Sequence, residues 1–427
     1  MRERKSRTVI IGIDGVPFEL MDKLSRKGVM PNFRELRKDG VFRKMESSIP
    51  EISSVSWSSV ITGKNPGEHG IFGFTDMIEG TYTLRFPDFR DLKAKTFWHM
   101  NPKKRYVIMN VPSTYPAKEL NGFLVSGFVS IDMEGAVYPG VHIPMLKKMD
   151  YRIDVDSEKG HKSKTLFLND LFYTLERRIE TYRHFWRSLK WDVFMLVFTG
   201  SDRLGHFLWD AYKNPNHEHH EGFLEFFRKI DQVIGEINGK LNPEDNLLML
   251  SDHGMEAIEE NVYVNSLLSD EGLLILGEDK DKRYNNIKYG SKAFALDPGR
   301  IYLNREGKYP NGSVKKSEEN KLIRQLTELF EGLEKDGRKV IKSVFRKDEI
   351  YMGSQIHNSP DLILLANKGF NLKGSLRKHK LFGKDIFTGM HSHGNAFLFI
   401  RNRENEPFVP KKPRVSDFLN VMEAVSK

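Results

Sequence analysis

Acidic and histidine side chains recur in this sequence where they could bind metal ions. Asp14 follows an apolar run. Asp202 precedes His206 by four residues, a spacing that places both on one face of a helix. Asp252 is followed directly by His253. Grouped carboxylates repel one another unless cations or protons lie between them. Mixed Asp and His ligands favour zinc, manganese or iron over calcium, and the candidates are numerous enough for two divalent ions.

A stretch rich in hydroxyl side chains, SSVSWSSVITG at 53–63, offers a nucleophile. It is typical of one short helix that begins at Ser53 and ends at Gly63. A hydroxyl is a weak nucleophile at neutral pH, but a bound cation or a helix N-terminus can lower its pKa. Two metal ions about 3.5–4 Å apart stabilise the attacking and leaving oxygens of a phosphoryl displacement. The stretch therefore predicts phosphoryl transfer at Ser53, with Ser54 and Ser56 as alternative nucleophiles.

Short apolar runs must position these residues, and they are typical of buried strands. The runs are TVIIGID at 8–14, YVIMNVP at 106–112, DVFMLVFTGSD at 192–202, NLLMLSDHG at 246–254 and NAFLFIR at 395–401. They are continuous rather than alternating, as in strands that are covered on both faces. Helical patterns lie between them, at 31–40, 165–190 and 222–241. The alternation predicts an α/β fold with a mainly parallel central sheet flanked by helices, with ligands at the carboxyl ends of its strands.

The length of 427 residues is interpreted as a single catalytic domain over 1–427 with an inserted cap subdomain at 256–345. The inserted stretch is rich in charge, Gly and Asn. It contains a strand-like segment, GRIYLN, and a helical pattern near 317–336. The segment HEHH at 217–220 is interpreted as an exposed loop rather than a metal site.

Composition excludes several classes of protein. The chain has no cysteine, so disulfides, Cys-ligated zinc and Cys nucleophiles are excluded. A net charge of +9 favours anionic partners such as a small phosphorylated substrate. The basic runs at 2–5, 377–380 and 411–414 are short, so no dedicated nucleic-acid surface is predicted. No apolar run is long enough to span a bilayer, and the first residues lack a signal-peptide core. We therefore expect a cytoplasmic location without membrane association; no feature indicates an oligomeric state.

Short motifs follow one another in a specific order along the chain. They are IDG at 13–15, MPN at 30–32, Ser53 nine residues before TG at 62–63, Pro66 before HGI at 69–71, Asp202 with His206, SDHGM at 251–255 and a late histidine before the last strand. This order resembles the type I phosphodiesterase/nucleotide pyrophosphatase family of the alkaline phosphatase superfamily. Each motif is weak alone, and the ordered set covers nearly the whole chain.

The resemblance implies an alkaline phosphatase-like fold that hydrolyses phosphodiester or pyrophosphate bonds through a phosphoserine at Ser53. It implies two divalent metal ions, with zinc as the expected metal and manganese as the alternative. One ion would be bound by Asp202, His206 and the late histidine. The other would be bound by Asp14, Ser53, Asp252 and His253.

Two histidines compete for the last ligand position. His391 and His393 lie two residues apart, just before the last strand. In the family, this ligand commonly follows a glycine by two residues, as His391 follows Gly389. His393 directly precedes Gly394, which is similar to the HG pair of nucleotide pyrophosphatases. We predict His391 as the ligand, with His393 as the alternative.

The sequence departs from the family in ways that leave the substrate open. Ser53 stands where many relatives have Thr. Ser56 stands where nucleotide pyrophosphatases have an Asn that contacts phosphate, which weakens the inference to nucleotides. No Arg or Lys closely flanks Ser53, and Lys64 is the nearest along the chain, so we predict that diesters and pyrophosphates are better substrates than monoesters. A phosphomonoesterase, a phosphonate hydrolase and an inactive metal-stabilised binding protein are the alternatives.

Overall fold

The computed structural model describes residues 6–278 and 283–426. The chain divides into two compact units. The first comprises Met1–Lys64, Asp88–Glu256 and Phe387–Lys427, and the second comprises Asn65–Pro87 and Ala257–Ile386. The basic run at 2–5, the two ends of the predicted 1–427 domain, and residues 279–282 of the predicted insertion lie outside the described residues.

The strands are short, mostly six residues or fewer. In chain order they are β1 Thr8–Ile13, β2 Gly40–Met45, β3 Asp76–Met77, β4 Leu84–Arg85, β5 Tyr106–Val111, β6 Gly122–Ser126, β7 Val137–Tyr138, β8 Val193–Phe198, β9 Asn246–Leu250, β10 Gly254–Ala257, β11 Glu260–Tyr263, β12 Ala293–Leu296, β13 Arg300–Leu303, β14 Glu334–Lys335, β15 Arg338–Lys339, β16 Ile341–Arg346, β17 Leu362–Ala366, β18 Phe370–Lys373, β19 Phe382–Gly383, β20 Gly389–Ser392 and β21 Ala396–Arg401.

The α-helices range from single turns to one long helix, α9. In chain order they are α1 Phe18–Arg26, α2 Pro31–Leu36, α3 Ser53–Thr62, α4 Pro66–His69, α5 Phe97–Met100, α6 Met133–Ala136, α7 Ile143–Lys148, α8 Ser157–Lys162, α9 Lys164–Ser188, α10 Gly200–Lys213, α11 His220–Gly239, α12 Val264–Asp270, α13 Glu319–Glu331, α14 Lys347–Ile350 and α15 Phe418–Val425. Within the described ranges, none of the helices combines the length and the apolar character that crossing a bilayer requires.

An eight-stranded sheet of the first unit has the order β2-β21-β9-β1-β8-β5-β6-β7. β1 runs parallel to β8 and β9, and β5 runs parallel to β6 and β8. β21 is antiparallel to β2 and β9, and β7 is antiparallel to β6. The predicted α/β fold with a mainly parallel sheet flanked by helices is therefore confirmed.

The five apolar runs identified in the sequence form five of the six inner strands of this sheet; the sixth, β6, was not predicted. All residues of β1, β5 and β8 are buried, as expected for strands covered on both faces. Because β9, β1 and β8 are parallel neighbours, their carboxyl ends lie at the same edge of the sheet. Asp14, Asp202 and Asp252 follow these three ends, so the sheet brings together residues that are far apart in the sequence.

Helix α3 confirms the predicted hydroxyl-rich helix, and every one of its residues is buried. Two of its hydroxyls are satisfied within the helix: Ser58 Oγ donates to the carbonyl of Ser54, and Thr62 Oγ1 donates to the carbonyl of Ser58. The helix ends at Gly63, whose φ of 65° is a left-handed conformation that glycine adopts without a Cβ clash.

The second unit contains a four-stranded sheet, β12-β13-β17-β16, and a three-stranded sheet, β18-β11-β19. β13 and α13 confirm the strand and the helix predicted in this region. A separate apolar core includes Phe294, Leu326 and Leu364. The unit contains most of the segment 256–345 and continues on both sides of it in the chain. That it acts as a cap stays a prediction.

The HEHH segment differs from the predicted exposed loop. Helix α11 already begins at His220, and only 8% of His219 is exposed. The backbone N–H of His219 donates to His217 Nδ1 at 3.1 Å, and the N–H of Phe223 donates to the carbonyl of His219 at 2.9 Å. Residues 217–219 form a turn that leads into α11, and Glu218 is exposed. The segment therefore differs from the prediction only in the burial of His219 and in the helical state of His220.

Candidate active site

Three donor atoms converge where α10 meets β20; we call them the first cluster. Oδ1 of Asp202 lies 3.3 Å from Nε2 of His206 and 3.3 Å from Nε2 of His391. The two Nε2 atoms are 2.9 Å apart. Asp202 and His206 lie on one face of α10, as their spacing predicted, and β20 supplies His391.

Backbone carbonyls determine which nitrogen of each histidine in the first cluster carries the proton. His206 Nδ1 lies 2.8 Å from the carbonyl oxygen of Gly389, and His391 Nδ1 lies 2.7 Å from that of Glu51. A carbonyl can only accept, so each Nδ1 donates its N–H and each Nε2 presents a lone pair. Two lone pairs beside a carboxylate repel one another unless a cation lies among them. This donor set fits a divalent transition metal.

Asp14, Asp252 and His253 form the second cluster, and Ser53 lies against it. Nε2 of His253 is 3.3 Å from Asp252 Oδ2 and 3.8 Å from Asp14 Oδ1. Ser53 Oγ is 3.0 Å from His253 Nε2 and 3.2 Å from Asp14 Oδ1. His253 Nδ1 donates to the carbonyl of Gly254 at 2.9 Å, which leaves Nε2 as the donor atom for a metal.

The two clusters are neighbours. The imidazole rings of His253 and His391 stack with their centroids 3.7 Å apart and an angle of 30° between their planes. In the part of the chain that the structure describes, no other group of three or more His, Asp or Glu side chains converges in this way. The structure therefore brings the predicted ligands together as two adjoining donor groups.

Each carboxylate of the second cluster has one oxygen held by a hydrogen bond. Trp57 Nε1 donates to Asp14 Oδ2 at 2.8 Å, and the backbone N–H of Gly15 donates to Asp252 Oδ1 at 3.1 Å. Asp252 Oδ2 and Asp202 Oδ1 are buried and accept no hydrogen bond from the described residues. Buried oxygens without a partner are costly, and a bound cation would satisfy them.

Burial and the neighbouring charges shift the pKa values of these groups. Burial, followed by the charges of Asp252 and Asp202, raises the pKa of Asp14 well above its usual range. Burial also raises the pKa of Asp252 to about 7. Cation binding would relieve the repulsion among the three carboxyls.

Helix α3 presents its N-terminus at Ser53. The first hydrogen bonds of the helix are donated by the N–H groups of Val55 and Ser56 to the carbonyl of Ile52. The N–H groups of Ser53 and Ser54 have no acceptor among the described residues, and Ile52 provides no side-chain cap. Free N–H groups at a helix N-terminus bind anions, so a phosphoryl group in front of Ser53 Oγ would meet two donors.

Residues 8–393 match the family model described as type I phosphodiesterase / nucleotide pyrophosphatase. The chain belongs to this family. Its membership identifies it as a phosphoric ester hydrolase of the phosphodiesterase/nucleotide pyrophosphatase type. No curated protein sequence is significantly similar to this family member.

Solved structures share its fold at low sequence identity. A phosphonoacetate hydrolase from Sinorhizobium meliloti 1021 in complex with phosphonoformate has a TM-score of 0.64 and 16% identity, with 99% of this chain and 96% of that chain covered. The same enzyme with phosphonoacetate has a TM-score of 0.63 and 15% identity over 99% and 96% of the two chains. An inactive variant of murine ectonucleotide pyrophosphatase/phosphodiesterase 5 in complex with AMP has a TM-score of 0.55 and 14% identity over 99% and 95%.

The alternative nucleophiles lie differently from Ser53. Ser56 Oγ is 2.9 Å from Ser47 Oγ and 2.7 Å from Ser48 Oγ, so its hydroxyl belongs to a buried hydroxyl network. Ser54 Oγ is buried and has no hydrogen-bond partner among the described residues. Of the three hydroxyls, only that of Ser53 makes a hydrogen bond to the second cluster.

The two late histidines of this family member are separated by the end of β20. His391 joins the first cluster, whereas His393 belongs to neither donor group. The carbonyl of His393 accepts a hydrogen bond from the N–H of Ser47 at 2.9 Å. Strand β20 ends at Ser392, between the two histidines.

Sequence reasoning did not identify Trp57 or Arg203 as parts of the site. Trp57 lies four residues after Ser53 on α3, and its fully buried ring is indistinguishable in the sequence from a core aromatic. Arg203 directly follows Asp202, and its Nη1 lies 3.8 Å from Asp202 Oδ2. Its position next to a candidate ligand was the signal that could have identified it.

Proposed function

We propose that this family member hydrolyses phosphodiester or pyrophosphate bonds through a covalent phosphoserine at Ser53, with two divalent metal ions. The observation that supports this most strongly is the contact of Ser53 Oγ with the second cluster, at 3.0 Å from His253 Nε2 and 3.2 Å from Asp14 Oδ1. A hydroxyl among metal-binding side chains is an activated nucleophile rather than a structural serine.

Zinc is the proposed metal, and manganese is the alternative for the same mixed nitrogen and oxygen donors. The first ion would be held by Asp202, His206 and His391. The second ion would be held by Asp14, Ser53, Asp252 and His253. When bound, the ions supply electrostatic stabilisation of the phosphoryl oxygens and lower the pKa of the attacking hydroxyl.

The side chains and backbone of the chain supply the rest of the reaction. Ser53 Oγ forms a bond to phosphorus while the bond from phosphorus to the leaving group breaks. The leaving group departs with that electron pair and takes a proton from solvent. The hydroxyl proton of Ser53 passes to solvent, and the N–H groups of Ser53 and Ser54 bind a phosphoryl oxygen. Water then hydrolyses the phosphoserine and restores the hydroxyl.

Phosphonates are the second candidate class of substrate. The similar phosphonoacetate hydrolase structure contains phosphonoformate, and the similar phosphodiesterase structure contains AMP. Ser56 supports the departure from nucleotide substrates, because its hydroxyl is engaged by Ser47 and Ser48. A panel of monoesters, diesters, pyrophosphates and phosphonates, compared by kcat/KM, tests the order we propose, in which diesters and pyrophosphates lead.

Trapping the intermediate tests the nucleophile. Metal-loaded protein is mixed with bis(p-nitrophenyl) phosphate and quenched with acid. Mass spectrometry then locates the serine that carries the remaining p-nitrophenyl phosphoryl group. We expect the label on Ser53, and we expect Ser53→Ala to lose about 10³-fold or more in kcat. Ser58→Ala removes another buried hydroxyl of α3 and serves as the matched control, with activity near that of the wild type. Label on Ser54 or Ser56 would assign the nucleophile to another residue.

We also propose that the second unit selects the substrate and that the protein is cytoplasmic. The proposed role of the second unit is supported by the chain order, since residues 257–386 are inserted between the second cluster and His391. The cytoplasmic location is supported by the absence of cysteine. Fractionation of cells that express the full chain tests the location, and recovery outside the cytoplasmic fraction would contradict it.

A further inference from the structure

Arg203 is an anchored guanidinium that the proposed reaction does not use. Its Nε and Nη2 donate to Oδ2 of Asp154 at 3.3 Å and 2.9 Å. The guanidinium carbon lies 4.6 Å from the centroid of the Phe128 ring. One edge and one face of the guanidinium are therefore fixed, and 25% of the side chain remains exposed.

The remaining nitrogen, Nη1, lies on the side of the first cluster. It is 3.8 Å from Asp202 Oδ2, which is too long for a hydrogen bond. Within the described ranges, Nη1 donates no hydrogen bond. The other oxygen of Asp202, Oδ1, faces His206 and His391. Nη1 thus lies on the outer side of the Asp202 carboxylate, whose other oxygen belongs to the first cluster.

The contacts of Arg203 leave one donor nitrogen, Nη1, for an anion. Asp154 forms an ion pair with the Nε–Nη2 edge, whereas Asp202 lies beyond hydrogen-bond distance of Nη1. The planar guanidinium fork matches carboxylate and phosphate oxygens, and its charge persists at every working pH. Holding the fork in place before binding reduces the entropy cost of binding an anion.

We propose that Arg203 is a specificity-determining residue that binds a second anionic group of the substrate, either a carboxylate or a second phosphoryl group on the substituent of the reacting phosphorus. This rests on the proposed function. Ser53 contacts the second cluster, whereas Arg203 lies against the first, so Arg203 binds a group other than the bond that Ser53 attacks. Lys64 is the nearest basic residue to Ser53 along the chain, but Arg203 is the one that the fold places beside a cluster.

A matched pair of substrates tests this proposal. Methyl p-nitrophenyl phosphate and carboxymethyl p-nitrophenyl phosphate differ by one carboxylate. We expect the wild type to favour the carboxymethyl ester. In Arg203→Met, the ratio of kcat/KM between the carboxymethyl and the methyl ester should fall about 10- to 100-fold, mainly through KM, because one charge-assisted hydrogen bond is lost.

Arg177 offers a matched control on α9. It donates to Glu180 at 2.9 Å, lies 5.2 Å from the Tyr173 ring and is 24% exposed, close to the exposure of Arg203. Arg177→Met should leave the substrate ratio unchanged. Asp154→Asn keeps Arg203 but weakens its anchor, so the ratio should fall by less than in Arg203→Met.

Two results would overturn the proposal. One is a substrate ratio in Arg203→Met within about twofold of the wild type. The other is an equal loss for both esters together with loss of one metal ion, which would show that Arg203 only positions Asp202. If Arg203→Met does not fold, Arg203→Lys takes its place. Its ratio of kcat/KM between the two esters should then be lower than that of the wild type.

Binding of a stable pyrophosphate analogue separates this proposal from the proposed function. Calorimetric titration of metal-loaded protein with methylenediphosphonate, which has no P–O–P bond, should show about 10-fold weaker binding in Arg203→Met than in the wild type. If the wild type hydrolyses neither ester, the proposed function fails, and the methylenediphosphonate titration alone decides the role of Arg203. Equal affinity of the two proteins for methylenediphosphonate would then reject that role.

Discussion

At the scale of single residues, hydrogen bonds to the backbone determine which atoms of the site can bind a metal. His206, His253 and His391 each direct Nδ1 at a backbone carbonyl, so each presents Nε2 to its cluster. Trp57 donates to one oxygen of Asp14, and the N–H of Gly15 donates to one oxygen of Asp252. The other oxygen of each carboxylate is left to face the second cluster. Such outer contacts fix ligand orientation and commonly affect metal affinity 10- to 100-fold.

Replacement of the late histidines tests the composition of the first cluster. His391→Ala removes a nitrogen that lies 2.9 Å from His206 Nε2, so we expect it to lose one of the two metal ions and most of the activity. His393→Ala should retain both ions, because His393 belongs to neither cluster. Metal content per chain and turnover measure both variants. Loss of an ion in His393→Ala alone would contradict this assignment.

The sequence could predict which acidic and histidine side chains converge, but not the groups that orient them. Asp14, Asp202 and Asp252 follow apolar runs, and the residue types together with the strand ends indicate a common edge. The carbonyl of Glu51 has no sequence signature, since any residue type provides one. Arg203 is visible as a residue, but its anchor Asp154 is 49 positions away in the chain.

At the scale of elements, helix α4 shows how a local signal places a buried histidine. Asn65 and Glu68 form a capping box: the N–H of Gly67 donates to Asn65 Oδ1, and Glu68 accepts from the N–H of Asn65. The helix then ends at His69, which is fully buried. The N–H of Ile71 donates to His69 Nδ1 at 3.1 Å, and burial lowers the pKa of His69 to about 3.

This depressed pKa predicts acid sensitivity. The unfolded chain protonates His69 near pH 6.5, whereas the folded chain resists protonation down to about 3. The contribution of His69 to stability is therefore complete above pH 6.5 and is lost as the pH falls toward 3. Between pH 7.5 and 4.5 the loss should be about 3 kcal/mol. Urea unfolding at both pH values measures it, and His69→Gln should show a loss smaller by that amount. An equal pH dependence in the two proteins would contradict the burial argument.

At the scale of the whole molecule, pairings over long distances in sequence define the second unit. Segment 65–87 belongs to it together with residues far along the chain, as when the N–H of Met352 donates to Asn65 Oδ1 at 3.1 Å. β3 and β4 have two residues each, too few to show a period. Five of the six inner strands of the first unit's sheet were predictable because each is a continuous apolar run, whereas these contacts depend on the complete fold.

The distribution of the ligands predicts how metal removal affects the molecule. All the proposed ligands lie in the first unit, after β1, at the ends of β8 and β9, on α3 and α10, and in β20. Chelation should abolish hydrolysis, lower the melting temperature and speed amide hydrogen exchange at these ends, because metal binding stabilises the folded state, by about 2.7 kcal/mol at 100 times Kd. Exchange in the β12-β13-β17-β16 sheet should change less, since that sheet packs on the separate core of the second unit. Zinc or manganese should restore both hydrolysis and protection from amide hydrogen exchange.

Two results would contradict these expectations. Full activity in verified metal-free protein would reject the two-metal proposal. An equal increase in amide hydrogen exchange in both units would show that metal binding does not stabilise the first unit selectively.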